Sequence, residues 1–407
     1  MDTLLLNIFN DKYHRFIIDN MPDSSVKAFY KWIIEDKNSL RVDYLQKSGI
    51  LKMVELYSYI FHFISKDDDK IVNLCEKISD LMIYQVYEII SDNICITSDK
   101  IVSKNKVDLN IKINNSIIEA LNNTHRIKLI DIGEFDFISN HLSEDNSQFI
   151  DGYRAISKEI DIQNESWIIV YMNIISCINV INNIDLHNYK KSMIRRYNSV
   201  NHISMNKYDD IKEIIKLQSE TILVSQTLQY CINIYTKIYV KNDITYKIFN
   251  DSNILSIIYD VAIVIRLLND LGLYFLEYSL QEIEMRFDNL LNNEIMGNET
   301  WVEWFLRIAL DLPFTRLYKD ILFNEYNISL YNIEFEMNYR DVIYRILNNT
   351  KYLSLIYKKC MKNIESKRKY LFDNDYGYIF DIVMNMVKFH QDVYSKEYTS
   401  KEGEFAI

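Results

Sequence analysis

Asn269 and Glu277 are the residues whose types and spacing first suggest chemistry. They bracket Asn269-Asp270-Leu271-Gly272-Leu273-Tyr274-Phe275-Leu276-Glu277, which follows a largely apolar run from Ile257 to Leu268. Each helical residue advances the chain by about 100°, so positions i, i+4 and i+8 share one narrow stripe. Asn269, Leu273 and Glu277 hold those positions. A carboxamide oxygen and a carboxylate two turns apart are hard donors of the kind Mg²⁺ takes, with water or phosphate oxygens filling the rest of its shell. A polar pair at the end of a buried run is costly unless it has a partner. The plain alternative is an amphipathic core helix whose Asn and Glu reach solvent.

Two acidic segments could face such a stripe. Asp131-Ile132-Gly133-Glu134-Phe135-Asp136 follows the apolar Ile127-Lys128-Leu129-Ile130. On a helix Asp131 and Glu134 share a face and Asp136 does not; an acidic helix end or turn explains the same residues. Asp67-Asp68-Asp69 follows the aromatic Phe61-His62-Phe63-Ile64, with Lys66 and Lys70 on either side. Those lysines satisfy the carboxylates as a surface turn, which is the better of the two readings. Basic residues available to an anion are Arg195-Arg196-Tyr197, Arg266, Arg316-Leu317-Tyr318 and Tyr339-Arg340. A surface arginine is the default for each.

The stretch from Arg266 to Glu277 resembles the second metal-binding motif of class I terpene synthases, where Asn, Ser or Thr, and Glu stand at i, i+4 and i+8. Leu273 replaces the hydroxyl residue. The resemblance extends over residues 116–395. It implies an all-α, antiparallel helical bundle with two metal-binding walls facing each other across an apolar cavity. Three Mg²⁺ ions would grip the diphosphate of a linear isoprenyl substrate, and the allyl cation left after ionisation would cyclise. Carried over residue by residue, Asp131, Asn269 and Glu277 become catalytic residues. Asp131, Glu134, Asp136, Asn269 and Glu277 become metal ligands. Ile132 stands where the family has the second of two adjacent aspartates. Gln218 stands where the family has its diphosphate-sensing arginine, and it can donate a hydrogen bond but brings no charge. Gln218, Arg266, Arg316 and Tyr318 are the implied diphosphate contacts. A helical protein that keeps this fold but only binds is the alternative that Leu273, Ile132 and Gln218 favour.

The elements that must position these residues read as helices. Glycine numbers 7 and proline 2 in 407 residues. So few breakers argue against a many-stranded fold. We expect one large domain over residues 1–407, with N-terminal helices over 1–110 and a core bundle over 111–407. Short helices are expected through residue 100, one of them capped by Asp23-Ser24-Ser25. A polar connection is expected from Thr97 to Asn115. Helices are then expected near 116–130, 166–184, 208–240, 253–290, 300–325, 340–362 and 377–395, with a frayed tail from Ser395.

A net charge of −11 disfavours a nucleic-acid partner. The five cysteines, Cys75, Cys95, Cys177, Cys231 and Cys360, are scattered, which fits a reducing cytoplasm and neither a disulfide framework nor a zinc site. The first residues show no signal peptide. Ser166 to Ile184 is long enough to span a bilayer, but Asn173, Asn179, Asn182 and Asn183 make it a core helix and no stable membrane insertion is expected. A homodimer remains open. The 31 tyrosines and 19 phenylalanines could stabilise a carbocation through cation–π attraction, and would equally fill any helical core.

Overall fold

A computed structural model describes residues 1–65, 69–93, 104–123, 147–156, 165, 167–184, 186–205, 210–240, 244–293, 295–310, 313–322, 325–334 and 337–395. Those residues form helices, turns and loops with no strand among them, so the chain is all-α.

Five helices lead the chain: α1 (Asp2–Asn20), α2 (Ser25–Ile33), α3 (Arg41–Lys47), α4 (Ile50–Ile60) and α5 (Ile71–Asn93). Helix α1 buries Leu5, Phe9, Tyr13 and Ile17, a stripe with a period of four residues. Ser24 caps α2 as expected, its hydroxyl accepting from the Lys27 amide at 3.0 Å.

Helix α6 (Lys104–Asn122) occupies much of the segment expected to be a connection. Its polar composition hides an apolar face: Ile113, Ile117, Ala120 and Leu121 are all buried. A helix needs only one such stripe to dock, whatever covers its other sides.

Helices α7 (Ser147–Ile156), α8 (Trp167–Ile184) and α9 (His187–Met205) follow. Helix α8 is long and apolar enough to cross a membrane by length and composition alone. Here it is a core helix packed on α5, and two of its asparagines donate to buried acids. Asn173 donates to Glu88 at 2.9 Å, and Asn183 donates to Asp80 at 3.1 Å.

Three of the long helices expected from periodicity are each divided. The first becomes α10 (Ile211–Thr221) and α11 (Val224–Tyr239); the short α12 (Thr245–Ile248) comes next. The second becomes α13 (Ser252–Glu277) and α14 (Leu280–Leu291). Ser279 starts α14 through a reciprocal cap, its amide donating to Glu282 at 2.7 Å and its hydroxyl accepting the Glu282 amide at 3.2 Å. The third becomes α15 (Trp301–Ile308) and α16 (Thr315–Leu322), with Pro313 in the joint, where it could not continue a helix.

A 3₁₀ turn (Ile328–Leu330) leads to α17 (Tyr339–Ser366), α18 (Arg368–Asp373) and α19 (Gly377–Ser395). Helix α13 is the hub, in contact with α10, α11, α16, α17 and α19. One apolar cluster runs from Leu5 to Tyr394 and joins the N-terminal helices to the rest. Cys75, Cys177, Cys231 and Cys360 are buried within it as free thiols; Cys95 lies outside the described residues.

Candidate functional site: a buried layer of acids and arginines

The stripe expected from Asn269 to Glu277 is interrupted. Inside α13, Gly272 has φ 73° and ψ 165°. This is a region essentially reserved for glycine, and a peptide turned that way does not extend a helical ladder. In an unbroken helix the carbonyls of Asn269 and Asp270 would accept from the amides of residues 273 and 274. Here they take side chains: Arg316 Nε donates to the Asn269 carbonyl at 2.7 Å, and Asn327 Nδ2 donates to the Asp270 carbonyl at 2.7 Å.

Asn269 and Glu277 therefore stand on opposite sides of a break. The Asn269 side-chain oxygen accepts from Arg316 Nη2 at 2.5 Å and from the Tyr394 hydroxyl at 3.1 Å. Glu277 is exposed, and Leu273 is half-buried against the core.

The break is held by a network. Asp270 is fully buried and pairs with Arg266 one turn before it. Its second oxygen accepts the Ile328 amide at 3.0 Å, and Arg266 also donates to the Tyr326 carbonyl at 3.0 Å. Burial pushes the Asp270 pKa up, against the pull of Arg266. Asn327 donates to Asp320 at 2.6 Å as well. Burial pushes the Asp320 carboxyl up to about 7; Arg316 opposes the shift, while Glu325 and Asp270 add to it. Burial disfavours the charge on Arg316, but the acidic side chains around it, Tyr394 first and then Asp320, Glu325 and Asp270, raise its pKa overall. Its guanidinium lies 5.1 Å from the centre of the Tyr394 ring.

A second group sits where α5, α8, α9 and α10 meet. Glu88 pairs with Arg196, and both are buried. The other Glu88 oxygen accepts from the Tyr197 hydroxyl at 2.5 Å and from Asn173 at 2.9 Å. The Tyr84 and Tyr197 hydroxyls are 3.0 Å apart. Arg196 Nε donates to the Thr221 carbonyl at 2.9 Å, at the end of α10.

Asp92 is one turn beyond Glu88. Its surface is open to solvent, yet protein surrounds it densely enough that burial pushes its pKa up to about 6. Arg196 opposes the shift, and Glu88 and Glu325 add to it. Glu325 adds to the shift of Asp92 in this group and of Asp320 and Arg316 in the first, so the two groups lie within electrostatic reach of each other, and we treat them together as one layer.

Of the residues expected from the sequence, the structure brings Asn269, Arg266 and Arg316 together. Gln218 is buried on α10 one turn before Thr221, whose hydroxyl donates to the Gln218 carbonyl at 2.9 Å. Tyr318 is half-buried against the core, and Arg340 is exposed with its Nε on the Tyr339 hydroxyl. Arg195 is exposed and lines an open groove of about 390 Å³ between α9 and α10, with Lys191, His202, Glu213 and Leu217. Asp131, Glu134 and Asp136 lie outside the described residues, as do Asp67 and Asp68; Asp69 is exposed.

Sequence reasoning did not single out Glu88, Asp92, Asp320, Glu325, Asn327 or Tyr394. Glu88 and Asp92 had a readable signal, being two acids at i and i+4 on a helix rich in apolar residues. Among the described residues, no three His, Cys, Asp or Glu side chains form a metal-holding group by themselves.

The fold and the layer define an all-α bundle with a charged interior. The chain matches no family model, and no curated protein is similar to it.

Replacing Gly272 with alanine tests whether the break is required. A Cβ there would meet Arg316 Cγ at 3.5 Å and the Tyr394 carbonyl at 3.6 Å, which is ordinary contact. The cost is then conformational, about 1–3 kcal/mol. We expect Gly272→Ala to lose that much in urea denaturation, and Gly297→Ala, in an open left-handed turn, to lose less. Equal, negligible losses would mean that the chain tolerates a continuous α13.

Proposed function

We propose that the chain is an enzyme of the class I terpene synthase type, which ionises an isoprenyl diphosphate and cyclises the resulting cation. The observation that carries the proposal is the layer: carboxyls and guanidiniums from α5, α9, α13 and α16 converge inside an apolar, aromatic-rich bundle. Folding alone gains little from such groups, because burying charge costs more than well-packed apolar residues would. Perturbed carboxyls beside a specific charged partner mark candidate functional groups.

In this reading the active acids move from the Asn269–Glu277 stripe to the facing group. Asn269 does not fit as a Mg²⁺ ligand, since its side-chain oxygen already accepts two donors, one of them cationic. Asp92, Glu325 and Asp320 offer hard oxygen donors within electrostatic reach of one another, and a metal there would need phosphate or water oxygens for the rest of its shell. Bound Mg²⁺ would supply neutralisation of the departing diphosphate. Arg316, Gln218 and Arg266 would orient the phosphate end, and the apolar core would exclude water from the cation. Asp131, Glu134 and Asp136 remain part of the proposal for the opposite wall.

A second reading, binding without turnover, is favoured by the capture of Asn269 by Arg316. Incubation with Mg²⁺ and geranyl, farnesyl or geranylgeranyl diphosphate separates the two. A hydrocarbon or alcohol in the hexane extract, with released inorganic diphosphate, supports the enzyme. Neither product with any of the three substrates sinks it. Asp92→Asn should lower turnover by about 10²–10³-fold, the scale of losing one electrostatic stabiliser, with its urea midpoint within a small shift of the parent. Turnover unchanged in that variant would remove Asp92 from the site.

A further inference from the structure

The outer side of α17 carries a basic face. Helix α17 packs on α13 and α14 and buries Val342, Ile346, Leu353, Tyr357, Cys360 and Ile364. Leu355, Lys358, Lys359 and Lys362 fall within an arc of about 100° on the helix, and all four are exposed. Lys367, between α17 and α18, keeps a right-handed helical conformation with φ −85° and ψ −8°. The winding therefore carries on into α18, where the exposed Lys369 continues the stripe and the exposed Phe372 borders it.

Residues 358–369 hold six cations, Lys358, Lys359, Lys362, Lys367, Arg368 and Lys369, against one acid, Glu365. The whole chain has the opposite balance, 46 Lys and Arg against 57 Asp and Glu. Three of the six are anchored. Lys358 donates to the Tyr278 carbonyl at 2.6 Å, Lys367 donates to Asn253 at 2.7 Å, and the Arg368 guanidinium lies 5.4 Å from the centre of the Phe380 ring. Asp260 is buried within reach of Lys359 and Lys367, and Asp373 follows Phe372. Lys362 and Lys369 have no hydrogen bond or ion pair among the described residues.

Leu355 is 51% exposed and Phe372 is 50% exposed. Lysines interspersed with exposed large apolar side chains suit the boundary of a bilayer: the ammonium groups meet anionic headgroups while the apolar tips enter the edge of the acyl region. Nucleic acid would draw on the same charge, but a leucine offers a base no face to stack on. We propose that this face of α17 and α18 docks the protein on an anionic lipid surface. The attachment is peripheral and reversible, α8 stays packed in the core, and the face acts whether or not the buried layer turns over a substrate.

Co-sedimentation of the full chain with vesicles tests it, using phosphatidylcholine alone and an equal mixture of phosphatidylcholine and phosphatidylserine. The parent should sediment with the mixed vesicles at low salt and not with phosphatidylcholine. It should be released in ~0.5 M NaCl, where charges more than a few ångströms apart are screened. Lys362→Gln with Lys369→Gln should weaken binding at least tenfold, the scale of losing two cations near a charged surface. Both are exposed without partners, so this variant should keep the parent's thermal midpoint. Leu355→Ser should weaken binding severalfold. Lys31→Gln with Lys37→Gln makes the same charge change at exposed positions elsewhere and should bind as the parent does. Equal binding to both vesicle types, parent-like binding by the Lys362 and Lys369 variant, or equal losses in the two double variants would overturn the proposal. So would binding to a single-stranded oligonucleotide without binding to mixed vesicles, which would assign the face to nucleic acid, and so would binding to neither.

Discussion

Arg196→Met is expected to destabilise the protein by about 3–5 kcal/mol, the cost of leaving one member of a buried ion pair uncompensated. Methionine matches the apolar length of the arginine side chain, so the loss is mostly electrostatic. Glu88 would keep the Tyr197 and Asn173 donors but lose its only cationic partner among the described residues. The Thr221 carbonyl would lose its Arg196 donor too, loosening the joint between α10 and α11. Glu88→Gln should cost a comparable amount, because it strands a buried guanidinium. The double variant should lose clearly less than the two single losses added together, since neither charge is then left alone. Urea denaturation of all four proteins checks this. Single losses below about 1 kcal/mol would put the pair in the range of solvent-exposed ion pairs, and strict additivity would mean the two residues act separately.

The second large effect is on pH. The Asp320 carboxyl is held at about 7 in the folded protein, against 3.8 for the ordinary side chain. The folded state therefore binds this proton more tightly than the unfolded chain. Its contribution to stability is fully present below about pH 4 and is lost as the pH rises through 7. The slope approaches about 1.4 kcal/mol per pH unit across that window. Asp92, held at about 6, acts in the same direction.

Asp320→Asn removes this titration and leaves an oxygen to accept from Asn327. Relative to the parent, the variant should gain about 3 kcal/mol between pH 5 and pH 8. The measurement is the difference in urea denaturation free energy at the two pH values. A difference that does not change with pH would mean that Asp320 titrates in its ordinary range in the folded protein.

The sequence by itself determined the helical character of the chain and the placement of many of its helices. Few glycines and prolines leave long uninterrupted segments, and apolar residues at intervals of three and four assign each segment a buried face. Helix α8 shows how far that goes: its asparagines among apolar residues identified a core helix, and the structure pairs two of them with Glu88 and Asp80. The Ser24 cap was equally legible, because a cap is a contact between neighbours in sequence.

Tertiary structure decided the site. Helical periodicity assumes that the ladder continues, and at Gly272 it does not. Nothing local requires that break, since glycine is also tolerated inside helices. It is held by Arg316, Asn327 and Tyr394, which lie 47, 57 and 125 residues along the chain from their partners. The same holds for the acids: Asp92 and Glu325 lie far apart in the chain, and only the fold brings them within electrostatic reach of each other. A spacing rule reports which residues share a face of one helix. Which charges share an interior depends on how the helices pack, and the charges of this layer are drawn from several of them.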